Sequence, residues 1–403
     1  MKKFVCKHPW SHFEVNNPNG DVTMCCNNNT VLGNVNKNTV AEIWNGEGFQ
    51  GVRKRMRDEG AYSMCPHTCP VLQGGKKYEN LDWFKELDKD GGPRRNAELN
   101  EREFAAGETA LESVPRWLRF TYSYACNLDC YHCYQREDAK MRVKLPDDFM
   151  QALPDYTRTS QVVFPFGGEP FYFKPVLEFL NDHDANLETR FFFITNATLL
   201  TDRVHEILRR VPINCMATSL DAATEASFEA LRVRGRNATW ATAMENMKKL
   251  QKLKAEKGFT FTVSMTVNSV NAGEIGQFVD LALGFDAEPL ISLVANPYQT
   301  LEFQKKYLVF TDAQFDGMLA GIERSLPKVR ARGFADAEVF LKQLRATVKQ
   351  HRASKNGLVG LKARNLARKV FWSLPEQLQL PIRKVVQRVR IRELEKHSAD
   401  DKA

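Results

Sequence analysis

The sequence lacks several features that would decide its class at once. No stretch among its 403 residues reaches the roughly 18 apolar residues that a membrane-spanning helix needs. The first residues, MKKFVCKHPWSHF, contain no apolar run long enough for a signal peptide. Internal repeats and low-complexity tracts are also absent, so the organisation has to be inferred from periodicity. These absences argue against a membrane-spanning or secreted protein and predict a cytoplasmic one.

Cysteine is present, but its distribution is not that of a disulfide-stabilised domain. The count of nine is odd, and eight of the nine fall into two groups along the chain. In a reducing compartment such grouping indicates metal binding or catalysis rather than disulfides. Cys215, alone in an apolar stretch, is predicted to be a plain buried thiol. The first group is Cys6, Cys25, Cys26, Cys65 and Cys69, and the second is Cys126, Cys130 and Cys133.

Positive charge is concentrated in the C-terminal fifth of the chain. The formal net charge is +8, yet residues 323–403 alone carry 20 lysines and arginines against 8 acidic residues. Such a region attracts phosphates, so nucleic acid is one predicted partner. A solvated helical face and an amphipathic helix lying on an anionic membrane are the alternatives. Few aromatic residues are interleaved with the charges, so stacking on single strands is not indicated.

Composition and periodicity divide the chain into four predicted parts. Residues 1–77 contain few apolar runs, which predicts that bound metal rather than a core stabilises them. Residues 78–114 are polar and are interpreted as a linker with helical pieces. Residues 115–300 alternate short β-rich runs with amphipathic helices, and residues 301–403 are predicted to be helical and basic.

The third part has the pattern of a parallel sheet. The predicted strands are residues 116–122, 161–166, 190–195, 213–220, 259–267 and 289–295. Six βα units imply a parallel sheet with crossover helices, either doubly wound or curled into a partial barrel. In both arrangements the functional loops leave the C-terminal ends of the strands.

The second cysteine group follows the first of these strands in the segment CNLDCYHC, residues 126–133. A structural zinc site needs four protein ligands, and no fourth cysteine or second ligating histidine is nearby. A 4Fe-4S cubane also commonly takes four thiolates, so a loop that provides three leaves one iron without a protein ligand. An open iron can bind a substrate or a cofactor.

The same eight residues match the CxxxCxxC signature of the radical S-adenosylmethionine (SAM) superfamily, which the sequence also resembles in its six βα units. The resemblance implies an α/β fold with a partial (β/α)6 TIM-like barrel. It further implies an enzyme in which SAM chelates the open iron of a 4Fe-4S cluster. The reduced cluster would cleave SAM to a 5′-deoxyadenosyl radical, which takes a hydrogen atom from substrate. A reductant such as flavodoxin or ferredoxin is implied as a partner.

Motifs after the later strands resemble the same family. GGEP, which begins at Gly167, resembles the motif that contacts the SAM amino group, and ITNATLL has Ala197 where the family usually has glycine. After the fourth strand come SLDAA and RVRGR, in which Arg232 or Arg234 is implied to pair with the SAM carboxylate. The SAM-contacting residues that the resemblance implies are His132, Gly167, Gly168, Glu169, Thr195, Asn196, Ser219, Asp221, Arg232, Arg234 and Asn268.

The first cysteine group resembles the auxiliary-cluster module known as SPASM, or its shorter form, twitch. In those families the module usually follows the barrel, whereas here it precedes it. The resemblance implies a second 4Fe-4S cluster, and a zinc site with the same thiolates is the alternative. The implied ligands are Cys6, Cys25, Cys65 and Cys69, with Cys26 as the alternative to Cys25. His8, His12 and His67 lie near these cysteines in sequence, where surface or structural roles are favoured over hydrogen bonds around the ligands.

The resemblance specifies the radical generator rather than its target. The basic C-terminal region favours a nucleic-acid substrate, such as a modified nucleobase whose radical rearrangement is an isomerisation, for example a hypermodified thymine in phage DNA. Modification of a ribosomal peptide and dehydrogenation or epimerisation of a sugar are the rival reactions. No winged-helix-like segment of the kind that binds leader peptides is evident, which disfavours the peptide. A zinc-binding nucleic-acid adaptor is the non-enzymatic alternative.

Overall fold

A computed structural model describes residues 4–66, 69, 72, 91–133, 135, 143–184, 187–232, 238–294 and 305–353. Its strands are β1 (His12–Val15), β2 (Asp21–Thr23), β3 (Gly33–Asn34), β4 (Trp117–Thr121), β5 (Val162–Phe166), β6 (Arg190–Thr195), β7 (Ile213–Ser219), β8 (Thr260–Val267) and β9 (Glu288–Leu293). Its helices are α1 (His8–Ser11), α2 (Val40–Trp44), α3 (Glu47–Glu59), α4 (Gly92–Ala106), α5 (Asp147–Tyr156), α6 (Lys174–Asp182), α7 (Asp202–Arg210), α8 (Glu225–Leu231), α9 (Trp240–Lys257), α10 (Ile275–Gly284), α11 (Asp312–Ala331) and α12 (Ala335–Ala353).

The six strands predicted from the sequence are present as β4 to β9, each within two residues of its predicted bounds. Neighbouring strands in this series are parallel, for example with Leu118 opposite Val163. Parallel neighbours require crossover connections, and helices α5 to α10 lie in those connections. The prediction of an α/β partial barrel is therefore confirmed.

The sheet is open. Its strand order in the described residues is β3-β2-β1-β4-β5-β6-β7-β8-β9, so β3 and β9 are edges that do not meet. One face packs against the helices through residues such as Leu118 and Phe193, which belong to the main core. On the opposite face Trp117, Val162 and Phe164 form a second, smaller apolar cluster. The face away from the helices is thus the inner wall of the partial barrel.

The N-terminal residues continue the barrel sheet. Strand β1 pairs in parallel with β4, which places Glu14 opposite Arg119, and β2 pairs antiparallel with β1. The Arg119 guanidinium lies 2.8 Å from the Glu14 carboxylate, and the two side chains are only 8% and 5% exposed. Backbone pairing and a buried ion pair therefore fix the N-terminal region to the first barrel strand.

The expectation that residues 1–77 lack a substantial core is wrong for the described part of that range. Trp10, Phe13, Trp44, Phe49 and Met56 are all at most 1% exposed and join the main core. The rings of Phe13 and Phe49 stack at 5.9 Å. These residues are spread over α1, β1, α2 and α3, so no single apolar run reveals the core that they form together.

The segment interpreted as a linker contains α4 and makes extensive contacts with the N-terminal residues. Asn100 on α4 donates to the backbone oxygen of Trp10 and, at 2.9 Å, to the Ser113 hydroxyl. The Trp44 indole donates to the Ser113 backbone oxygen at 2.7 Å. The helical piece is present as predicted; residues 78–90 lie outside the described residues, and the four-part domain division stays a prediction.

The C-terminal region is helical as far as it is described. Helices α11 and α12 pack on each other, α11 also contacts α10, and α12 covers β9. Several of their outward cations form ion pairs with acidic side chains. These pairs are Lys328–Asp280, Arg330–Glu338, Arg345–Glu323 and Arg352–Asp316. Most of the excess positive charge belongs to residues 354–403, which lie outside the described residues.

None of the described helices combines the length and the apolar character that crossing a membrane demands.

Candidate functional site

The predicted motifs meet at one edge of the sheet, where the parallel strands β4 to β8 end. The cysteine loop follows β4, GGEP follows β5, the Thr195–Asn196 turn ends β6, and Asp221 follows β7. Hydrogen bonds between these loops join them into one continuous site.

The cysteine loop is bound to the turn after β6. Asn196 donates to the Asn127 side chain at 2.9 Å, and its amide nitrogen lies 3.7 Å from the Cys126 sulfur. Asn127 in turn donates to the Thr198 hydroxyl at 2.8 Å. The backbone N–H of Leu128 points at the same sulfur from 3.4 Å. Asn127 was not anticipated from the sequence; it occupies a variable position of the CxxxCxxC pattern.

The two glycines of GGEP allow the loop after β5 to pack on the cysteine loop. Gly167 and Gly168 have φ of +90° and +51°, a region that favours glycine. A Cβ at Gly168 would lie 1.8 Å from the backbone oxygen of Ala125, and one at Gly167 would lie 2.7 Å from that of Ser123. The absence of side chains at these two positions thus lets the backbone after β5 approach the cysteine loop closely.

Glu169 is buried and organises the neighbouring turn. Its carboxylate accepts hydrogen bonds from the Thr195 hydroxyl and the Asn196 backbone N–H, both at 2.8 Å. Burial raises the pKa of Glu169 to about 7, although these donors favour its charged form. Ala197 follows with φ +61°, the left-handed conformation that suits the glycine usual in this family. The Asn246 side chain holds that conformation by donating to the Ala197 oxygen at 2.8 Å.

Asp221 is the centre of a second buried network. Its carboxylate accepts from the Arg232 guanidinium at 2.7 Å and from the Thr266 backbone N–H at 2.7 Å, and it lies 2.9 Å from Nε2 of His132. Burial disfavours the charged form, but Arg232 and His132 outweigh it and hold the pKa of Asp221 well below its usual range. One carboxylate therefore joins the cysteine loop to β7 and β8.

Asn271 completes this network and was missed by sequence reasoning. The side chain is fully buried, donates to the Asp221 backbone oxygen at 2.7 Å, and accepts from the Asn268 backbone N–H at 2.7 Å. Asn268 is also fully buried, and its side chain bonds within its own turn. Ser219 lies 3.3 Å from the Ser264 hydroxyl. Arg234 lies outside the described residues, and the SAM-contact roles of all these residues stay predictions.

The environment of the three cysteines in the loop favours binding to an iron–sulfur cluster over a role as free thiols. Burial raises the pKa of Cys126 to about 12 and that of Cys130 to about 11, although Arg232 lowers the latter. Such thiols stay protonated unless bound metal stabilises the thiolate. Within the described part of the chain no three His, Cys, Asp or Glu side chains converge on a single ion. A cubane needs no such convergence, since each thiolate binds a different iron.

The cysteine loop also contains a ring nitrogen that could bind a polar ligand. Nδ1 of His132 is buried and has no hydrogen-bond partner in the described structure, while Nε2 is fixed by Asp221. A buried polar atom without a partner is costly, and a bound molecule with a complementary donor or acceptor would satisfy it. The residues present therefore fit both a three-thiolate cluster and a polar cofactor beside it.

The N-terminal cysteines form a second group in space. Burial, with a smaller contribution from the charge of Cys69, raises the pKa of Cys6 and of Cys65 to about 12. Burial likewise raises the pKa of Cys25, and the charge of Cys6 adds to this effect. Cys26, in contrast, is exposed. The choice of four ligands among the five stays a prediction. His67 lies outside the described residues, but His8 contacts the group, since its Nδ1 lies 3.0 Å from the Cys6 sulfur.

Comparisons with known proteins agree with this division into two sites. Residues 120–282 match the model of the radical SAM superfamily, and residues 6–70 match that of SPASM, an iron–sulfur cluster-binding domain. The protein's cofactors are therefore SAM, the 4Fe-4S cluster that binds it, and a second, auxiliary 4Fe-4S cluster.

The sequence identity between the chain and its individual relatives is low. The chain is 27% identical over 177 residues to an AdoMet-dependent heme synthase of Methanosarcina barkeri, covering 43% of this chain and 48% of the relative. It is 28% identical over 175 residues to the mycofactocin maturase MftC of Mycobacterium ulcerans, covering 42% and 44%. The chain thus spans about half the length of the curated relatives that it matches.

Streptococcus suis SuiB bound to S-adenosylmethionine superposes with a TM-score of 0.43 at 17% identity, covering 59% of this chain and 52% of that one. The two family matches, independently of these structures, identify a radical SAM domain at residues 120–282 and a SPASM iron–sulfur cluster-binding domain at residues 6–70, on the N-terminal side of the barrel.

Proposed function

We propose that the protein cleaves SAM reductively and uses the resulting 5′-deoxyadenosyl radical to abstract a hydrogen atom from its substrate. The observation that carries this proposal is the linkage of the cysteine loop to the turns after β6 and β7 through Asn196 and Asp221. When bound to Cys126, Cys130 and Cys133, a 4Fe-4S cluster supplies the electron for this cleavage. A protein such as flavodoxin or ferredoxin would deliver that electron.

Side chains of the protein hold the cysteine loop and the neighbouring turns in position. Glu169 holds the Thr195–Asn196 turn, through which Asn196 reaches the cysteine loop. Arg232 donates from Nε to the Leu220 oxygen at 3.0 Å as well as to Asp221, so its principal role in this proposal is to fix Asp221 and, through it, His132. A SAM carboxylate would then be bound by Arg232 together with Arg234, or by Arg234 alone.

The substrate that we propose is a modified nucleobase, on which hydrogen abstraction triggers a rearrangement. Its support is the positive charge of residues 354–403, whereas several cations of α11 and α12, such as Arg330 and Arg345, are already paired with acidic side chains. The second candidate is oxidative modification of a peptide or small metabolite. Its support is the sequence similarity to a mycofactocin maturase and a heme synthase.

Anaerobic purification followed by substrate tests would examine both the proposed radical chemistry and the proposed substrate class. Roughly eight irons per chain and a brown colour are expected for two cubanes, whereas a colourless protein with zinc alone would instead support the nucleic-acid adaptor. Deuterium-labelled nucleobases and peptides can then be offered to the reduced enzyme. Deuterium in 5′-deoxyadenosine identifies the substrate class, because only the molecule that loses the hydrogen atom transfers its label.

A further inference from the structure

Outside the SAM site, a hydrogen-bonding group that the proposed function does not use lies against a cluster ligand. Nδ1 of His8 is 3.0 Å from the sulfur of Cys6, and the backbone N–H of His8 also points at that sulfur. A sulfur that ligates iron carries no proton. The ring nitrogen must therefore be the donor of this contact when a cluster is bound.

The His8 ring is held in place by a second histidine. The ring centroids of His8 and His12 are 4.1 Å apart, and His12 stacks on Trp117 at 5.3 Å. The Ser11 hydroxyl donates to the Lys7 oxygen at 3.0 Å, so Nδ1–H of His12, 2.8 Å away, donates to Ser11. His12 and Trp117 are buried, which fixes the position of the ring that His8 packs against.

We propose that His8 is a positioning residue that donates Nδ1–H to the Cys6 sulfur and raises the reduction potential of the auxiliary cluster. Reduction adds negative charge to a cluster and its thiolates, and a donor aimed at a ligand sulfur stabilises that added charge. The inference rests on the auxiliary cluster with Cys6 among its ligands. On this proposal the auxiliary cluster of the N-terminal module has a reduction potential set by His8, and its role is not purely structural.

Redox titration monitored by EPR tests this inference. Replacing Cys126, Cys130 and Cys133 by Ala removes the SAM-binding cluster, so the remaining signal belongs to the auxiliary one. In this background His8→Phe keeps a ring against His12 but removes the donor, and a more negative midpoint potential is expected. His8→Asn places Nδ2 where Nδ1 of histidine branches, and it should recover part of the loss. His205→Phe, on α7, is the matched control and should leave the potential unchanged.

A spectroscopic measurement in the same triple-alanine background with His8 intact does not depend on how well the His8 variants assemble. In protein labelled with 15N-histidine, pulsed EPR of the reduced auxiliary cluster should detect a nitrogen coupling that His8→Phe removes. An equal midpoint potential in the parent and in His8→Phe, or no histidine coupling, would overturn the role of His8. SAM cleavage by the wild type is scored separately, so a failure of this inference is distinguishable from a failure of the proposed function.

Discussion

Arg232 donates a hydrogen bond of 2.7 Å to Asp221, and each of the two side chains is only 4% exposed. Asp221 adopts φ +57° at the end of β7, so its carboxylate turns back towards the cysteine loop and lies 2.9 Å from His132. A buried charge pair of this kind is costly to break from one side, because the remaining charge has no partner. The site therefore depends on Asp221 for its shape as well as its charge.

Asp221→Asn should destabilise the protein by about 3–5 kcal/mol, because it leaves the Arg232 guanidinium buried without its counter-charge. Asparagine tolerates the left-handed backbone, so conformational strain does not confuse the result. Asp286→Asn is the matched control, since Asp286 has φ +53° but forms half-exposed ion pairs with Lys254 and Arg332. Anaerobic urea unfolding measures both variants, and equal losses would contradict the role given to burial.

Glu169 should make the stability of the SAM-free protein pH-dependent in an unusual direction. Burial raises its pKa from 4.5 to about 7, so the folded protein binds more protons than the unfolded chain between these values. The stability that Glu169 contributes is therefore lost as pH rises through this window. Relative to Glu169→Gln, the wild type should lose about 3 kcal/mol between the two ends.

Infrared spectroscopy offers a direct view of the same group. A protonated carboxyl band that is present at about pH 6, disappears by about pH 8 and is missing in Glu169→Gln would agree with the raised pKa. A wild-type difference spectrum without that band would place Glu169 among ordinary carboxylates.

Gly168→Ala should reduce loading of the SAM-binding cluster while sparing the auxiliary one. The added Cβ would meet the Ala125 oxygen at 1.8 Å and push the cysteine loop away. Gly258→Ala separates this clash from backbone strain, because Gly258 also has positive φ, at +70°, with nothing within 4 Å of the added Cβ. Iron analysis should show about four irons lost only in the Gly168 variant. Similar losses in both variants would mean that strain, not the clash, is decisive.

The barrel was predictable because buried parallel strands have continuous apolar runs, and because GGEP and the cysteine motif come directly after such runs. Strand β1 was not predictable, since HFEV is four residues long and becomes a strand by pairing with β4, about 100 residues away in the chain. Asn271 was missed for the same reason. Its role comes from the Asp221 oxygen across the site, which local sequence does not reveal.

Production of 5′-deoxyadenosine by the reduced protein tests the central claim most directly. The wild type, purified anaerobically, reduced and incubated with SAM, should release 5′-deoxyadenosine and methionine. The variant with Cys126, Cys130 and Cys133 changed to Ala should release neither, while Cys215→Ala, which removes the buried thiol of β7, should behave as the wild type. Cleavage retained in the triple variant, or absent from wild-type protein with both clusters loaded, would contradict the account.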